Sequence, residues 1–392
     1  MTDLSENKKP LHFVQLDTLR FLAAFMIVFM HAFEGWSADW PFGKPWRLAT
    51  PDGKEWNWFG SHLHGFIGNF GFGVDLFFLI SGFLITYLLI REKTEKGKIN
   101  IPGFFMRRIL RIWPLYFFII AISPFLVRWI GATEPHYLPV ALFYNNFHTI
   151  AQEASGAEPW LFPFSHFWSI CIEEHFYLVW PFLVMLIPLR RLPAALILVI
   201  VGSIAYRAYV FYFLPDAHRW FPIYMHTLSR IDALAIGGIA AWMHYNKPFS
   251  LRMPLAGRLL LYTILIWALC TDNLSDWPNI FDTIWKKYIY LLLAGFAMMN
   301  YVFNPEAKLK FGPKHPINYL GRCSYGIYLW GNILLPIMIQ KVFVNHIPHP
   351  SGWVYWTIVL GISLLVPVIT YELIEKPFLK LKARFAIVKT RI

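Results

Sequence analysis

The sequence predicts an all-α polytopic membrane protein with about ten transmembrane helices and both termini in the cytoplasm. Three observations predict it. Of 392 residues, 57% are hydrophobic and only 15% charged, and mean hydropathy is +0.46; a soluble chain carries about 25% charged residues. Ten apolar runs recur along the chain, at 14–33, 72–90, 112–130, 166–187, 194–214, 224–243, 259–271, 287–303, 323–340 and 355–373. All but 259–271, which needs flanking residues, are long enough to cross about 30 Å of hydrocarbon at about 1.5 Å per residue. Finally, the segments on the N-terminal side of these runs carry 24 of the 35 Lys and Arg, while the opposite loops and their edges carry 7. That asymmetry orients the chain with its basic loops inside.

The same distribution accounts for the net charge of +12 without a nucleic-acid partner. The 18 Trp suit a chain with many lipid–water interfaces. Cys171, Cys270 and Cys323 are odd in number and lie in apolar segments, which argues against a disulfide framework. No repeat or low-complexity tract interrupts residues 1–392, so the chain reads as a single membrane domain without a soluble appendage. Its first apolar run holds ionisable residues and no small-residue cleavage site, and reads as a retained span, not a signal peptide.

Charged side chains inside a span are costly and ordinarily face a cavity or a partner. In the first span Arg20 and His31 are eleven residues apart, about 20° from sharing one helical direction and about 16 Å apart along the axis. Asp17, three residues before Arg20, is placed to pair with it. A neutral imidazole here fits a general base. It equally fits a hydrogen bond to a neighbouring helix, with Arg20 reaching lipid phosphate. Asp75, in the second span, either orients a site or caps that helix at the outer surface. The basic run Met106–Pro114 places Arg108 and Arg111 on one face, where guanidinium forks suit phosphate oxygens or anionic lipid.

The stretch 137–150 is too short and polar to span and reads as a re-entrant or interfacial helix. In His166–Pro181, Ser169, Glu173 and Tyr177 repeat every four residues and form one polar stripe, while Glu174 turns elsewhere. Glu173 is thus the carboxylate placed to support an imidazole; a structural salt bridge between helices is the other reading. Cys171 lies about 200° round the helix from Glu173, so a covalent route through its thiol has no nearby base. Ser81 and Ser169 are the hydroxyl candidates for such a route. Arg230 and Asp232 face different sides of their span and are expected to pair with other helices. Glu372 and Glu375 are expected to bridge to basic neighbours. Trp36, Trp40, Trp46, Trp56 and Trp58, followed by His62 and His64, fit an acceptor-binding loop or an interfacial belt. No Cys, His or carboxylate spacing supports a metal.

Taken together the motifs resemble the acyltransferase 3 family of integral-membrane acyltransferases. Leu16–His31 resembles the family's first helix, an Arg or Lys, then ten residues, then His. Gly73–Ile85 is similar to its second-helix signature, Arg108–Arg111 to its paired arginines, and Trp168–Pro181 to its Trp-Ser…Glu helix. Leu320–Trp330 and Tyr371–Pro377 complete the set. Two positions depart from the pattern: Gly331 stands where His is frequent, and His175 where Gln is frequent. The esterase-like domain that some members carry is not found, so the chain is expected to act alone or with a separate protein.

The resemblance implies transfer of an acyl group, acetyl first and succinyl second, from cytoplasmic acyl-CoA to a hydroxyl of an extracytoplasmic glycan or other acceptor. In that reading His31 is the general base and Glu173 its support. Arg20, Arg108 and Arg111 bind the nucleotide end of the donor, and Asp17, Asp75, Ser81, Ser169 and Tyr177 support the site. Acyl-CoA is a co-substrate, no cofactor is tightly bound, and the setting is a bacterial inner or cytoplasmic membrane. A proton-coupled transporter of a sugar-like or anionic solute is the alternative, since intramembrane Arg, His and Glu serve that chemistry too.

Overall fold

The computed structural model describes residues 13–37, 65–159, 162–247, 253–271, 279–307, 310–347 and 351–385. Among these no strand occurs. Helix α1 is Val14–Ser37. A 3₁₀ turn, Asn69–Phe72, leads into α2, Gly73–Lys96. Helix α3, Ile101–Ile130, starts on an Asn100 cap whose Oδ1 accepts the Gly103 N–H at 3.0 Å. Two short helices follow, α4 (Tyr137–Ala141) and α5 (Asn145–Ala154). Then come α6 (Trp168–Leu186), α7 (Leu192–Phe213), α8 (Trp220–Met225) and α9 (Thr227–Asn246). Helix α10 is Leu255–Thr271, and α11 is Lys287–Phe303, entered through a π turn at Asp282–Lys286. The chain closes with α12 (Pro316–Arg322), α13 (Ser324–Ile337, continuing as a π stretch Met338–Val344), α14 (Gly352–Thr370) and, after a π stretch Tyr371–Glu375, α15 (Lys376–Lys382).

Among the described residues seven helical segments are long and apolar enough to cross a membrane: Val14–Phe33, Gly65–Lys96, Ile101–Ile130, Trp168–Leu186, Leu189–Phe213, Ser324–Val344 and Gly352–Lys382. The other three predicted runs fall in α9, α10 and α11 with its π turn. Large apolar side chains point outward along the long helices, Phe125, Leu186, Leu198, Phe213 and Leu373 among them. In water such a surface would be unsustainable; against lipid tails it costs nothing. The stretch 137–150 forms α4 and α5, about 8 and 15 Å long, too short to cross. Asn146 fastens α5 to the helices beneath by donating to the Met225 carbonyl at 3.3 Å and the Thr227 hydroxyl at 3.0 Å.

Without a hydrophobic drive inside lipid, helices associate through close backbone approach and interhelical hydrogen bonds. Both occur here. Helices α2 and α9 meet at Gly82 and Gly237: a side chain at Gly82 would collide with the Leu234 carbonyl, and one at Gly237 with that of Leu79. Trp180 of α6 donates to Thr86 of α2 at 2.7 Å. Lys93 donates to the carbonyls of Val184, Met185 and Ile187 at 2.8–3.0 Å, occupying orphan acceptors at the end of α6. Arg107 of α3 pairs with Glu92 of α2 at 3.1 Å. The buried core follows these contacts through α2, α3, α6 and α9, with α1 laid across α2, α12 and α13.

Candidate active site

Two cavities open on α1, one near each end. The first, about 70 Å³, is lined by Arg20 of α1, Ser81 of α2, Arg108 and Arg111 of α3, and Ser169, Glu173 and Tyr177 of α6. Arg20 stands 3.5 Å from Asp17, the i, i+3 pair expected from the sequence. Arg108 is buried, with its guanidinium over the rings of Phe104 and Tyr177 at 5.7 and 5.6 Å. Glu173 accepts from the Ser81 hydroxyl at 2.8 Å and from the Tyr177 hydroxyl at 3.1 Å. Three guanidinium groups beside one hydrogen-bonded carboxylate leave this chamber net positive, a setting for phosphate oxygens. The four-residue stripe of α6 faces it as the helical period requires, and Glu174 does not line it.

The second cavity is larger, about 530 Å³. It is lined by His31 of α1, Asp75 of α2, His166 and Trp168 at the start of α6, Trp220 and Tyr224 of α8, Arg230 of α9, and Asn332 of α13. His166 and His31 lie close enough to interact electrostatically. The His166 Nε2 faces the Leu329 carbonyl at 3.0 Å. A carbonyl only accepts, so Nε2 carries the proton and Nδ1 a lone pair. A base, polar groups and aromatic walls around one cavity can hold a hydroxylated molecule and remove its proton.

A hydrogen bond joins the linings of the two chambers. Tyr328 lines the first, and its hydroxyl donates at 2.9 Å to the carbonyl of His166, which lines the second. Ser169 and Tyr328 share a 2.6 Å hydrogen bond beside it.

The structure corrects three expectations. His31 and Glu173 do not form a pair: the carboxylate is held by Ser81 and Tyr177 in the basic chamber, and His31 lines the other. Glu173 lies five residues beyond Trp168 on α6, about 7.5 Å further along the helix, so only the first residue of α6 and the turn before it reach the His31 end. Asp75 is not a helix cap. It is buried and lies 3.4 Å from Arg230 of α9 and 3.3 Å from Lys287 of α11, while the residue before α2 is Phe72, with no side-chain cap. Glu375 makes no ion pair among the described residues. Glu372 pairs with Lys376 at 2.5 Å, whereas Glu375 is buried with Oε1 unpartnered among the described residues.

Other expectations hold in geometry. Arg230 and Asp232 do pair with different helices, Arg230 with Asp75 and Asp232 with Lys287 at 2.9 Å and Arg207 at 3.5 Å. Cys171 is fully buried and lines neither chamber. His175 hydrogen-bonds Thr227 at 2.8 Å and stacks on Phe147, tying α6 to α9 and α5 outside both chambers. Gly331 has a packing reason: a side chain there would strike Val28 of α1, one turn before His31. The tryptophan-rich loop and His62 and His64 lie outside the described residues, apart from the backbone of Trp36. Among the described residues no three His, Cys, Asp or Glu side chains gather as a metal would need.

Sequence reasoning did not single out His166, Tyr224 or Asn332, nor place Arg230 in a site. His166 opens the motif that carries Ser169 and Glu173, and Arg230 is a charge inside an apolar run; these two carry a signal in the sequence. The others reach the cavity through long-range packing alone.

Comparison with known proteins supplies the rest. A putative peptidoglycan O-acetyltransferase, YrhL, from Bacillus subtilis (strain 168) is 28% identical over 344 residues, 81% of this chain and 52% of its own length. O-acetyltransferase OatA from Staphylococcus aureus (strain NCTC 8325 / PS 47) is 26% identical over 330 residues, 79% of this chain and 52% of its own. A putative O-acetyltransferase from S. aureus (strain COL) gives 26% over 329 residues, with the same coverage as OatA. The chain thus spans about half the length of the relatives it matches. No solved structure matches it. Residues 13–372 match the acyltransferase domain that defines the acyltransferase 3 family, and this chain, a helical membrane protein with both chambers inside that range, belongs to that family.

Proposed function

We propose that the chain transfers an acetyl group from cytoplasmic acetyl-CoA to a hydroxyl of an extracytoplasmic glycan. The observation that carries this reading is the pair of chambers on α1, a basic one at Arg20 and a roomier one at His31, whose linings are joined by the Tyr328–His166 hydrogen bond. Arg20, Arg108 and Arg111 would take the phosphates of the nucleotide end. The pantetheine arm would pass the Tyr328–Ser169 pair and present the thioester near His31, about 16 Å along α1. The acceptor oxygen attacks the thioester carbonyl and His31 takes its proton. The C–S bond then breaks, and the departing thiolate takes up the proton from the imidazolium. Glu173, fixed by Ser81 and Tyr177, acts on the donor side of this path and not on the imidazole. The relatives named as O-acetyltransferases, one of them for peptidoglycan, favour acetyl as the group and a cell-wall glycan as the acceptor.

The test uses the purified full chain in liposomes with labelled acetyl-CoA, offering soluble peptidoglycan disaccharides and neutral oligosaccharides. The expected result is label on an acceptor hydroxyl, dependent on the protein. Label on no acceptor, with solute carried across the bilayer instead, would overturn the reading in favour of transport.

A further inference from the structure

Arg230 stands in the first turn of α9 and lines the same cavity as His31. It is 5% exposed, yet among the described residues its guanidinium donates no hydrogen bond and its Nε is unpartnered. What holds it are faces and a loose ion pair. Its Cζ lies 5.4 Å from the centre of the Trp168 ring and 5.2 Å from that of Tyr224, and Nη2 is 3.4 Å from Asp75 Oδ2. Aromatic faces fix the plane of the fork while leaving its N–H groups to be used. A buried cation with unspent donors beside a cavity is costly unless a ligand oxygen completes it.

Charge decides what kind of oxygen. Behind Arg230 runs a buried chain of five ionisable side chains, Arg230–Asp75–Lys287–Asp232–Arg207, linking α9, α2, α11 and α7 at 2.9–3.5 Å. Three cations against two carboxylates leave one positive charge in surplus. A ligand with a permanent negative charge would bring it up against Asp75, which lines the same cavity. A neutral carbonyl that becomes negative only during reaction meets no such repulsion at rest and draws on the surplus when it is needed. Charge developing in a preorganised, water-poor site is where fixed donors act most strongly.

We propose that Arg230 is a catalytic residue that receives the thioester carbonyl oxygen and stabilises the oxyanion formed when the acceptor oxygen adds to it. The inference rests on the transferase reading. The oxyanion collapses as the C–S bond breaks, so Arg230 neither gains nor loses a proton. Asp75 is a positioning residue that holds the guanidinium through its Nη2.

The experiment uses the full chain in proteoliposomes with a soluble peptidoglycan disaccharide as acceptor and either acetyl-CoA or fluoroacetyl-CoA as donor. Arg230→Gln should lower kcat by about 10²–10³-fold with acetyl-CoA, the loss seen when an oxyanion donor is removed, while both KM values stay within about 3-fold. Fluorine stabilises the oxyanion by itself, so the loss should shrink by about 10-fold with fluoroacetyl-CoA; damaged packing would depress both donors alike. Arg230→Lys, which keeps the charge against Asp75, carries the same donor comparison if the Gln variant does not fold. Equal losses with the two donors, a kcat within about 3-fold of wild type, or an effect confined to the KM of acidic acceptors would each overturn the assignment. Wild-type protein that labels no acceptor would overturn the transferase reading and this one with it.

Discussion

The two chambers are built in different ways. The charged side of the basic chamber comes largely in sets close together in sequence: Arg108 with Arg111, and the Ser169–Glu173–Tyr177 stripe, each set on one helix and one face, beside Arg20 and its Asp17 partner. The His31 chamber takes its polar and aromatic lining from α1, α2, α6, α8, α9 and α13, and its ionic backing joins positions 75, 207, 230, 232 and 287. A periodic pattern can build a binding surface for a charged, extended molecule. A reaction centre needs groups aimed at one point from several directions, and only tertiary packing supplies that.

If the division of labour is real, the chambers should answer differently to mutation. The largest effect is expected from His31→Ala, which should lower kcat by about 10³-fold, within the range for losing a general base, while donor binding persists. Labelled acetyl-CoA retained by a folded but inactive variant is the signature. Loss of donor binding together with turnover would merge the two chambers into one.

Next in size is the double variant Arg108→Ala/Arg111→Ala. Removing two phosphate-binding guanidinium groups should raise the KM for acetyl-CoA by about 100-fold, the low end for two hydrogen bonds to charged groups at about 1.5–3 kcal/mol each. The KM for acceptor should stay put. An equal rise for both substrates would show that the basic chamber serves the acceptor too.

The contrast also explains what was legible beforehand. The all-helical membrane class followed from composition, and helices stand at all ten apolar runs because a 3.6-residue period and low charge are local properties. The facing of Glu173 and the Asp17–Arg20 pair followed from the same period. The partner of Asp75 did not, because Arg230 and Lys287 are 155 and 212 positions away and no pattern on α2 points to them. The His31–Glu173 pairing failed for a related reason: phase tells which way a side chain points, but not how far along its neighbour it lies. The packing of Gly331 on Val28 was equally hidden.

That last contact gives a smaller prediction. Gly331→His forces a side chain against Val28 of α1. Overpacking of this kind costs about 1–3 kcal/mol, so the thermal midpoint in detergent should fall and activity at low temperature should drop as α1 shifts under His31. An unchanged midpoint would mean that α1 yields at this point, and that the register between α1 and α13 does not fix the depth of His31.

The smallest effect is expected from Tyr177→Phe. The phenol donates to Glu173 Oε2 at 3.1 Å, while Ser81 keeps Oε1 at 2.8 Å, and the ring beneath the Arg108 guanidinium remains. One hydrogen bond of a doubly held carboxylate is lost, worth about 1 kcal/mol. The expected outcome is a rise of about 5-fold in the KM for acetyl-CoA with kcat nearly unchanged. A fall in kcat as large as that for His31→Ala would place Glu173 in the proton path after all. The donor and reaction chambers would then be coupled through the Tyr328–Ser169 pair and not merely adjacent across it.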